Sequence, residues 1–571
     1  MVSGGVMTGR RRPILVVGLD GGTFDVAGPL LASGRLPHLG ELMRTGTWGP
    51  LRSTLPAATF PAWTSFMTGV NPGRHGVFDF TARVPGTYRV RFVNGTFRGA
   101  PTIWRLLSDA DRRVVSIAMP GTYPPEQVRG VMVSGFDAPV ARTIDGSFVW
   151  PPDAYREVRA VAGRLPFADV QEVEIGPDWP AQAMPRLLDG IARKTALARR
   201  WIERGDWDLL SVVFGESDTI AHHCWRYHDP RSPRHMASAH RGAIATVYEA
   251  LDAALGELRS AVPANAAVLV VSDHGAGGAG DRALHLNARL REAGLVAFEG
   301  GSRLGAVAGV AKGMALRWCP PRLQEVIFRR AGWAADRIES AARFAGIEWS
   351  RTVAFSEELD YAPSVWINVR GRDPSGTVAA SDRPRVCREV CEMLEAWRDP
   401  WTGAAIVRRA YPREEIYEGP FVDRAPDIVL DLALPGGYSY TCLPSLGGRR
   451  PAIRKLEPGE FAGGRGRGLN GTHRPDGMFI LAGGNLPVLG RREGVAIADL
   501  APTLLTLTGL DVPPWMDGVI PEGLRPAGAA ASPRGRRPPP PPASGMQQPY
   551  GPDEEREVAA RLAALGYLDQ A

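Results

Sequence analysis

Cysteine is scarce in this chain: there are five in 571 residues, an odd number without the paired spacing of a metal-binding motif. Such cysteines are typical of reduced, structural thiols and favour a reducing compartment. Long apolar runs are also missing, since none approaches the roughly 20 residues of a membrane helix. The run at residues 13–19 is too short for a secretory signal and has no small-residue cleavage site after it. We therefore expect a cytoplasmic protein without a membrane span.

A strong excess of one charge is absent as well. The 67 Lys and Arg residues stand against 61 Asp and Glu residues, and part of the net charge of +6 lies in arginines at residues 10–12 and 534–537. This balance does not indicate a nucleic-acid partner. With 44% hydrophobic and 22% charged residues, the chain has the composition of an ordinary globular protein.

Short apolar segments alternate with helical patterns along much of the chain. Several lack polar alternation, which indicates strands buried on both faces of a sheet; the segments are 14–19, 114–119, 131–134, 209–214, 267–272, 427–432 and 478–482. Helical patterns lie between them, for example at 184–203 and 236–258. The alternation predicts an α/β fold with a largely parallel central sheet flanked by helices.

The alternation is interrupted between residues 299 and 424, where a basic, tryptophan-containing stretch precedes an isolated strand-like segment at 364–369. We interpret 299–424 as an inserted cap subdomain, and 13–298 with 425–520 as the catalytic core. Residues 524–552 are rich in proline and glycine and predict a disordered or polyproline-like linker. Residues 553–571 predict a short C-terminal helix that docks on the core or binds a partner.

Polar side chains follow predicted core strands at their carboxyl ends, where sites form in open α/β sheets, and His473 is expected in a glycine-rich loop just before another strand. Taken singly, each has an ordinary explanation as part of a turn or a solvated loop. Together they supply three aspartates and three histidines: Asp20, Asp218, His222, Asp273, His274 and His473. That set has the type and number of ligands that two divalent ions of the zinc class need. A dinuclear metal centre, able to promote displacement at phosphorus, is therefore the leading interpretation.

A candidate nucleophile lies in the stretch AATFPAWTSFMTGVNPGRHG, residues 57–76. Metal coordination is one of the few ways to ionise the hydroxyl of Thr59 at neutral pH without an adjacent base. The N–H groups of the helix that begins there would face an anionic phosphoryl oxygen. The alternative is that Thr59 is only an N-cap. Thr64 and Ser65 are competing hydroxyls within the same helix and rank below it.

These motifs, in this order, resemble the type I phosphodiesterase/nucleotide pyrophosphatase family of the alkaline phosphatase superfamily. The matching pieces are LDGG, ATFPAWTSFMTGVNPGRHG, D-x-x-x-H, SDHG and GTH, within roughly residues 13–520. The resemblance implies an alkaline phosphatase-like fold, two zinc ions as cofactors, Thr59 as nucleophile and a covalent phospho-threonine intermediate. It also implies the partition of the ligands, with one metal held by Asp218, His222 and His473 and the other by Asp20, Asp273, His274 and Thr59.

Two regions depart from the family pattern. Nucleotide pyrophosphatases usually carry Asn directly after Thr-Phe-Pro, and again just beyond the following His-Gly. This chain has Ala62 at the first place and reads Val-Phe-Asp-Phe over residues 77–80 at the second. An oxyanion donor must then come from elsewhere or be absent. The sequence also shows neither the C-x-P-x-R pattern of sulfatases nor an arginine placed as a monoesterase phosphate clamp, so a diester or a phosphonate fits better than a monoester.

We therefore predict a metal-dependent phosphodiesterase or nucleotide pyrophosphatase that acts on a small phosphodiester or nucleotide-like substrate. The oligomeric state does not follow from the sequence. One alternative is different chemistry on the same fold, such as that of a phosphomutase, sulfatase, phosphonate hydrolase or phosphoethanolamine transferase. Another is an inactive, metal-stabilised scaffold that binds a partner through its tail. Competent residues at all seven proposed positions argue against the scaffold.

Overall fold

A large twisted sheet forms the centre of the molecule in the computed structural model. The model describes residues 12–137, 146–163, 178–299, 344, 346–358, 363–445, 447–448, 450–461, 469–524, 550–551, 554–555, 557–559 and 561. Across these residues the strand order is Gly490–Arg491, Gly46–Arg52, Asp476–Gly483, Ala267–Val271, Ile14–Leu19, Leu209–Phe214, Val114–Met119, Gly130–Ser134 and Val149–Trp150. A tenth strand, Val495–Ala496, also pairs with Gly46–Arg52.

The middle five strands, from Ala267–Val271 to Gly130–Ser134, run parallel to one another. Every residue of Ile14–Leu19 is buried, because helices cover both faces of the sheet. Leu15 and Val17 belong to one apolar cluster, whereas Ile14 and Val16 belong to the cluster on the opposite face. The predicted α/β fold with a largely parallel central sheet is confirmed.

Helices pack on both faces of this sheet. Six contribute to one apolar cluster: Phe24–Ala32, Pro37–Thr45, Tyr155–Ala162, Trp179–Arg204, Glu216–His228 and Ala243–Ala261. Three contribute to the other: Thr59–Thr68, Ile103–Asp109 and Leu500–Leu507. The helix expected from residue 236 begins later, because Ser238 caps a short 3-10 helix, Ala239–Gly242, and the α-helix starts at Ala243.

A second sheet, of four strands, contains much of the described part of the predicted cap. Its order is Ala354–Phe355, Ser364–Ile367, Ile428–Leu432 and Val407–Pro412, all antiparallel, with the helix Arg383–Glu395 beside it. The sequence analysis predicted that residues 427–432 belong to the central sheet, and this prediction is wrong. The domain boundary at residue 425 stays a prediction, although strands on either side of it pair. Residues 300–343 of the predicted cap lie outside the described residues.

A third sheet extends the site-bearing edge of the core. Its strands are Gly275–Leu284, Ser439–Cys442, Ile453–Lys455 and Gly471–Arg474. His473 therefore lies on a short strand opposite Ala276, and the expectation that it lies in a loop is wrong. A Cβ atom on Gly275 would stand 2.2 Å from the carbonyl oxygen of Asp476, so only glycine allows the strands to approach this closely.

The remaining short elements are the helices Pro72–His75, Leu286–Glu292 and Arg413–Ile416 and the hairpin of Thr81–Arg83 with Val90–Phe92. None of the helices in the described ranges is both long enough and apolar enough to cross a bilayer.

The described C-terminal residues, which we call the C-terminal segment (550–551, 554–555, 557–559 and 561), lie against the core. The ring of Tyr550 stacks on that of Tyr123 at 5.7 Å, and its hydroxyl donates to the carbonyl oxygen of Asp137 at 2.8 Å. Arg561 donates to the carbonyl oxygen of Phe136 at 3.2 Å, and Val558 joins an apolar cluster. Most of the predicted linker, residues 524–552, lies outside the described residues.

Candidate metal centre

The structure brings all seven proposed side chains together at the carboxyl edge of the parallel strands. Each comes from the end of a central strand or from an element that adjoins one. They are Asp20 after Ile14–Leu19, Thr59 at the start of its helix, Asp218 and His222 on Glu216–His228, Asp273 and His274 after Ala267–Val271, and His473 on Gly471–Arg474. Their side chains are buried. The topology thus makes one cluster from five distant parts of the chain.

One group of possible ligands consists of Asp218, His222 and His473. The Nε2 atoms of the two histidines are 3.2 Å apart, and an Asp218 oxygen lies 3.0 Å from Nε2 of His222. Nδ1 of His222 donates to the carbonyl oxygen of Gly471 at 2.9 Å, and Nδ1 of His473 donates to that of Ala57 at 2.8 Å. Because a carbonyl oxygen only accepts, each neutral ring carries its proton on Nδ1 and presents a lone pair at Nε2. Two lone pairs at one point suit a shared cation.

A second group consists of Asp20, Asp218 and His274, with Asp273 and Thr59 beside it. Nδ1 of His274 donates to the carbonyl oxygen of Gly275 at 3.0 Å, so its Nε2 also presents a lone pair. This Nε2 lies 3.6 Å from an Asp20 oxygen and 3.3 Å from an Asp273 oxygen. Asp218 belongs to both groups, so its carboxylate lies between the two sets of possible ligands.

The unsatisfied oxygens of this cluster fit a bound cation. Oδ1 of Asp20, both carboxylate oxygens of Asp218 and Oδ2 of Asp273 are buried and have no hydrogen-bond partner within the described part of the chain. Burying a carboxylate without compensation costs several kcal/mol. A pair of divalent ions would supply the missing positive charge at these oxygens, so the residues present fit the metals that the sequence suggested.

The pKa shifts have the same physical origin. Burial, and then the charge of Asp218, raises the pKa of Asp20 well above its usual value, and burial followed by Asp20 raises that of Asp273. Burial also opposes ionisation of Asp218, but His222, His473 and His274 hold its pKa below the usual range. Burial lowers the pKa of His274 to about 4, so this ring is neutral at pH 7.

Further residues orient the ligands, and the sequence analysis did not predict them. The indole of Trp63 donates to Oδ2 of Asp20 at 3.1 Å. Trp63 stands one helical turn after Thr59, a spacing that could have indicated its direction. Lys194 forms a buried ion pair of 2.7 Å with Glu216, the first residue of the helix that carries Asp218. No local pattern links Lys194 with Glu216, because they lie on different helices.

Thr59 is the first residue of its helix and not the cap. The N-cap is Ala58, and no side chain of the described residues caps this helix end, so the N-cap alternative is wrong. The Oγ1 atom of Thr59 lies 3.2 Å from Nε2 of His274. The competing Ser65 instead contacts His75, with its Oγ 3.0 Å from Nε2 of that ring.

His75 joins the helix Thr59–Thr68 to the segment that follows it. Its Nδ1 accepts the N–H of Val77 at 3.1 Å, so the ring proton sits on Nε2 and points to Ser65. Burial, with the charge of Arg98 as a second cause, lowers the pKa of His75 to about 3. The residue is therefore held neutral in the folded protein.

We expect His75→Asn to change the acid stability of the protein. The unfolded chain takes up this proton near pH 6.5 but the folded protein only near pH 3. The neutral ring therefore makes its full contribution to the free energy of unfolding above pH 6.5. Below pH 6.5 this contribution decreases by about 1.4 kcal/mol per pH unit. Chemical denaturation of both proteins from pH 7 to 4 should show their free-energy difference shrinking at this rate. A constant difference would contradict the assignment.

Comparison with known proteins adds independent evidence. The family model of type I phosphodiesterase/nucleotide pyrophosphatase matches residues 14–445, most of the chain. No curated protein sequence gives a significant match. Phosphonoacetate hydrolase from Sinorhizobium meliloti 1021, solved with phosphonoacetate, is 17% identical, with 87% of this chain and 96% of that chain covered and a TM-score of 0.50.

Two further solved structures are similar at lower scores. Human ectonucleotide pyrophosphatase/phosphodiesterase 5 is 12% identical, with 88% of this chain and 96% of that chain covered and a TM-score of 0.46. An inactive form of the murine protein in complex with AMP is 14% identical, with the same coverage and a TM-score of 0.45. The family match places the chain among phosphoester hydrolases. This protein belongs to the type I phosphodiesterase/nucleotide pyrophosphatase family.

Proposed function

We propose that this protein is a zinc-dependent phosphodiesterase that uses Thr59 as its nucleophile, with a small phosphodiester or nucleotide-like substrate. One observation carries the proposal. The Thr59 hydroxyl touches a ring nitrogen of His274 within a buried cluster of imidazole lone pairs and unpaired carboxylate oxygens. A hydroxyl that lies beside an imidazole lone pair and buried carboxylate oxygens is where a nucleophile activated by bound cations needs to be.

The ligand assignment follows the two groups. Asp218, His222 and His473 would hold one ion, and Asp20, Asp273, His274 and the Thr59 oxygen would hold the other. Bound zinc ions would lower the pKa of the hydroxyl and stabilise charge on the attacking and leaving oxygens.

The chain itself positions the nucleophile and the phosphoryl group. Thr59 stands at the first turn of its helix, where the N–H groups of Thr59 and Phe60 have no intrahelical acceptor. They can donate to a phosphoryl oxygen, and the helix dipole favours its negative charge. Oγ1 of Thr59 then forms a bond to phosphorus while the bond to the leaving alkoxide breaks. Water later cleaves the phospho-threonine ester and releases the second product with regenerated Thr59.

The substrate class is tested by the ratio of two activities. Purified protein reconstituted with zinc should turn over bis(p-nitrophenyl) phosphate faster than p-nitrophenyl phosphate, because no second anion clamp for a monoester is evident in the sequence. Bound metal is quantified on the same samples. Faster turnover of the monoester would show that the protein is a monoesterase and not a diesterase. Turnover of neither ester by the metal-loaded protein would reject the proposal and direct the search to phosphonates and sulfate esters. The cytoplasmic location stays a prediction.

A further inference from the structure

A cavity of about 460 Å³ lies between the segment after the nucleophile helix and the four-stranded sheet. Pro56 lines one part of it, and the next residue, Ala57, is the one whose carbonyl oxygen orients His473. Phe78 and Asp79 line it as well. They lie in the region where nucleotide pyrophosphatases usually carry an asparagine. The cavity therefore borders the segment that orients His473, a proposed metal ligand.

The arginines that line the cavity differ in their ion pairs. Its charged lining residues include Arg83 and Arg372, which both pair with Asp373, at 2.8 and 3.1 Å. Asp423, also in the lining, pairs with Arg413 at 2.5 Å. Arg424 has no ion pair with any residue in the described ranges. Its guanidinium carbon lies over the ring of Phe421, 4.3 Å from the ring centroid.

Arg424 also lies near a second arginine of the lining. Burial, and then the charge of Arg91, lowers the pKa of Arg424 below its usual value. An anion bound beside Arg424 would offset the repulsion that Arg91 exerts on it. Arg91 rests over the ring of Phe97 at 4.7 Å, so both guanidinium groups stand on aromatic faces that fix their planes.

The position of Arg424 is fixed relative to the nucleophile helix. The N–H of Phe421 donates to the carbonyl oxygen of Gly73 at 2.9 Å, in the short helix just after Thr59–Thr68. The Phe421 ring fills a slot over Gly76 and Gly99, where a Cβ atom on Gly99 would stand 2.0 Å from it. An arginine stacked on this ring therefore keeps a constant position with respect to Thr59.

From these observations we infer that Arg424, with Arg91, binds a second anionic group of the substrate, a carboxylate or phosphate carried on the portion that enters the cavity. The inference rests on the proposed function and narrows its substrate class to phosphoesters with a negative charge beyond the reacting phosphorus. A planar guanidinium suits both kinds of anion, because it donates two parallel hydrogen bonds to either. The indole of Trp366 and the ring of Tyr417 line the same cavity and would contact the linking atoms.

The test uses substrates that differ only in the second anion. Methyl p-nitrophenyl phosphate is compared with its carboxymethyl and carboxypropyl counterparts, which share the leaving group. We expect wild-type kcat/KM to be about tenfold higher for at least one carboxylate substrate, as one charge-assisted hydrogen-bonded contact allows. Arg424→Gln should reduce that ratio to about one, and Arg424→Lys should restore part of it. Arg408→Gln, which removes an exposed arginine paired with Asp431, is the matched control.

A binding measurement separates failure of this inference from failure of the proposed function. Calorimetric titration with phosphoglycolate and methyl phosphate, on zinc-loaded wild type and Arg424→Gln, reports the second anion without turnover. Tighter phosphoglycolate binding that is lost in Arg424→Gln supports the anion site even if no diester is hydrolysed. Equal binding of the two ligands, or an equal loss of both kcat/KM values in Arg424→Gln, overturns the anion-site inference without contradicting the proposed diesterase function.

Discussion

Thr59→Ala should lower kcat for the diester by about 10³-fold or more while leaving the protein folded and loaded with metal. The variant removes the oxygen that is proposed to form the covalent ester and leaves the carboxylates and imidazoles of both ligand groups in place. Since its Oγ1 is proposed as only one of several ligands, bound zinc should remain close to the wild-type content. Stopped-flow release of p-nitrophenolate, with metal analysis and circular dichroism on the same samples, measures all three properties.

Two further variants make the result specific. Thr59→Ser keeps a hydroxyl at the same atom position and should retain measurable turnover. Thr68→Ala removes a buried hydroxyl from the other end of the same helix, where it donates to the carbonyl oxygen of Thr64 at 2.7 Å, and should affect stability without affecting kcat. Near-wild-type turnover by Thr59→Ala would assign the chemistry to water and remove the covalent step.

Removal of metal is the second large effect that we expect. Chelation should lower turnover at least 100-fold, and about two equivalents of zinc per chain should restore it. The metal-free protein should also melt several degrees lower, because unpaired oxygens of Asp20, Asp218 and Asp273 then remain buried together. Calorimetric scans with and without zinc, beside activity titrations, give both quantities.

Asp218→Asn tests the assignment of Asp218 as a ligand. Because Asp218 is proposed to hold one ion with His222 and His473, this variant should bind about one zinc ion at concentrations that saturate the wild type. Asp252→Asn is the matched control: it changes another buried aspartate, which accepts the N–H groups of His38 and Leu39, and should cost stability but keep two ions. Full metal content in Asp218→Asn, or a metal-free protein with undiminished activity, would contradict the dinuclear proposal.

The central sheet was predictable because burial on both faces leaves a plain signal in the sequence. Uninterrupted apolar runs such as 14–19 and 209–214 became neighbouring parallel strands. The convergence of Asp20, Asp218 and Asp273 followed from the same logic, since parallel strands end at one edge. The i and i+4 spacing of Asp218 and His222 also held, because that segment is the helix Glu216–His228.

Features fixed by pairing between distant segments were not predictable in the same way. Residues 428–432 have the apolar pattern of a core strand, yet they pair with Ser364–Ile367 in a separate sheet. His473 sits among glycines that suggest a loop, but those glycines permit close pairing with the strand that begins at Gly275. The cavity and the stacking of Arg424 on Phe421 depend on contacts across segments that share no periodicity.

The C-terminal segment behaves as a tethered ligand of the core. Its docking surface includes Tyr123 and Phe136, and the Phe136 ring stands 6.0 Å from that of Phe60, the residue after Thr59. Tethering gives such a contact a high effective concentration, so modest individual interactions suffice to hold it. A single proteolytic cut between residues 525 and 549 would turn that contact into a dilutable bimolecular complex. The surroundings of the nucleophile would then depend on protein concentration.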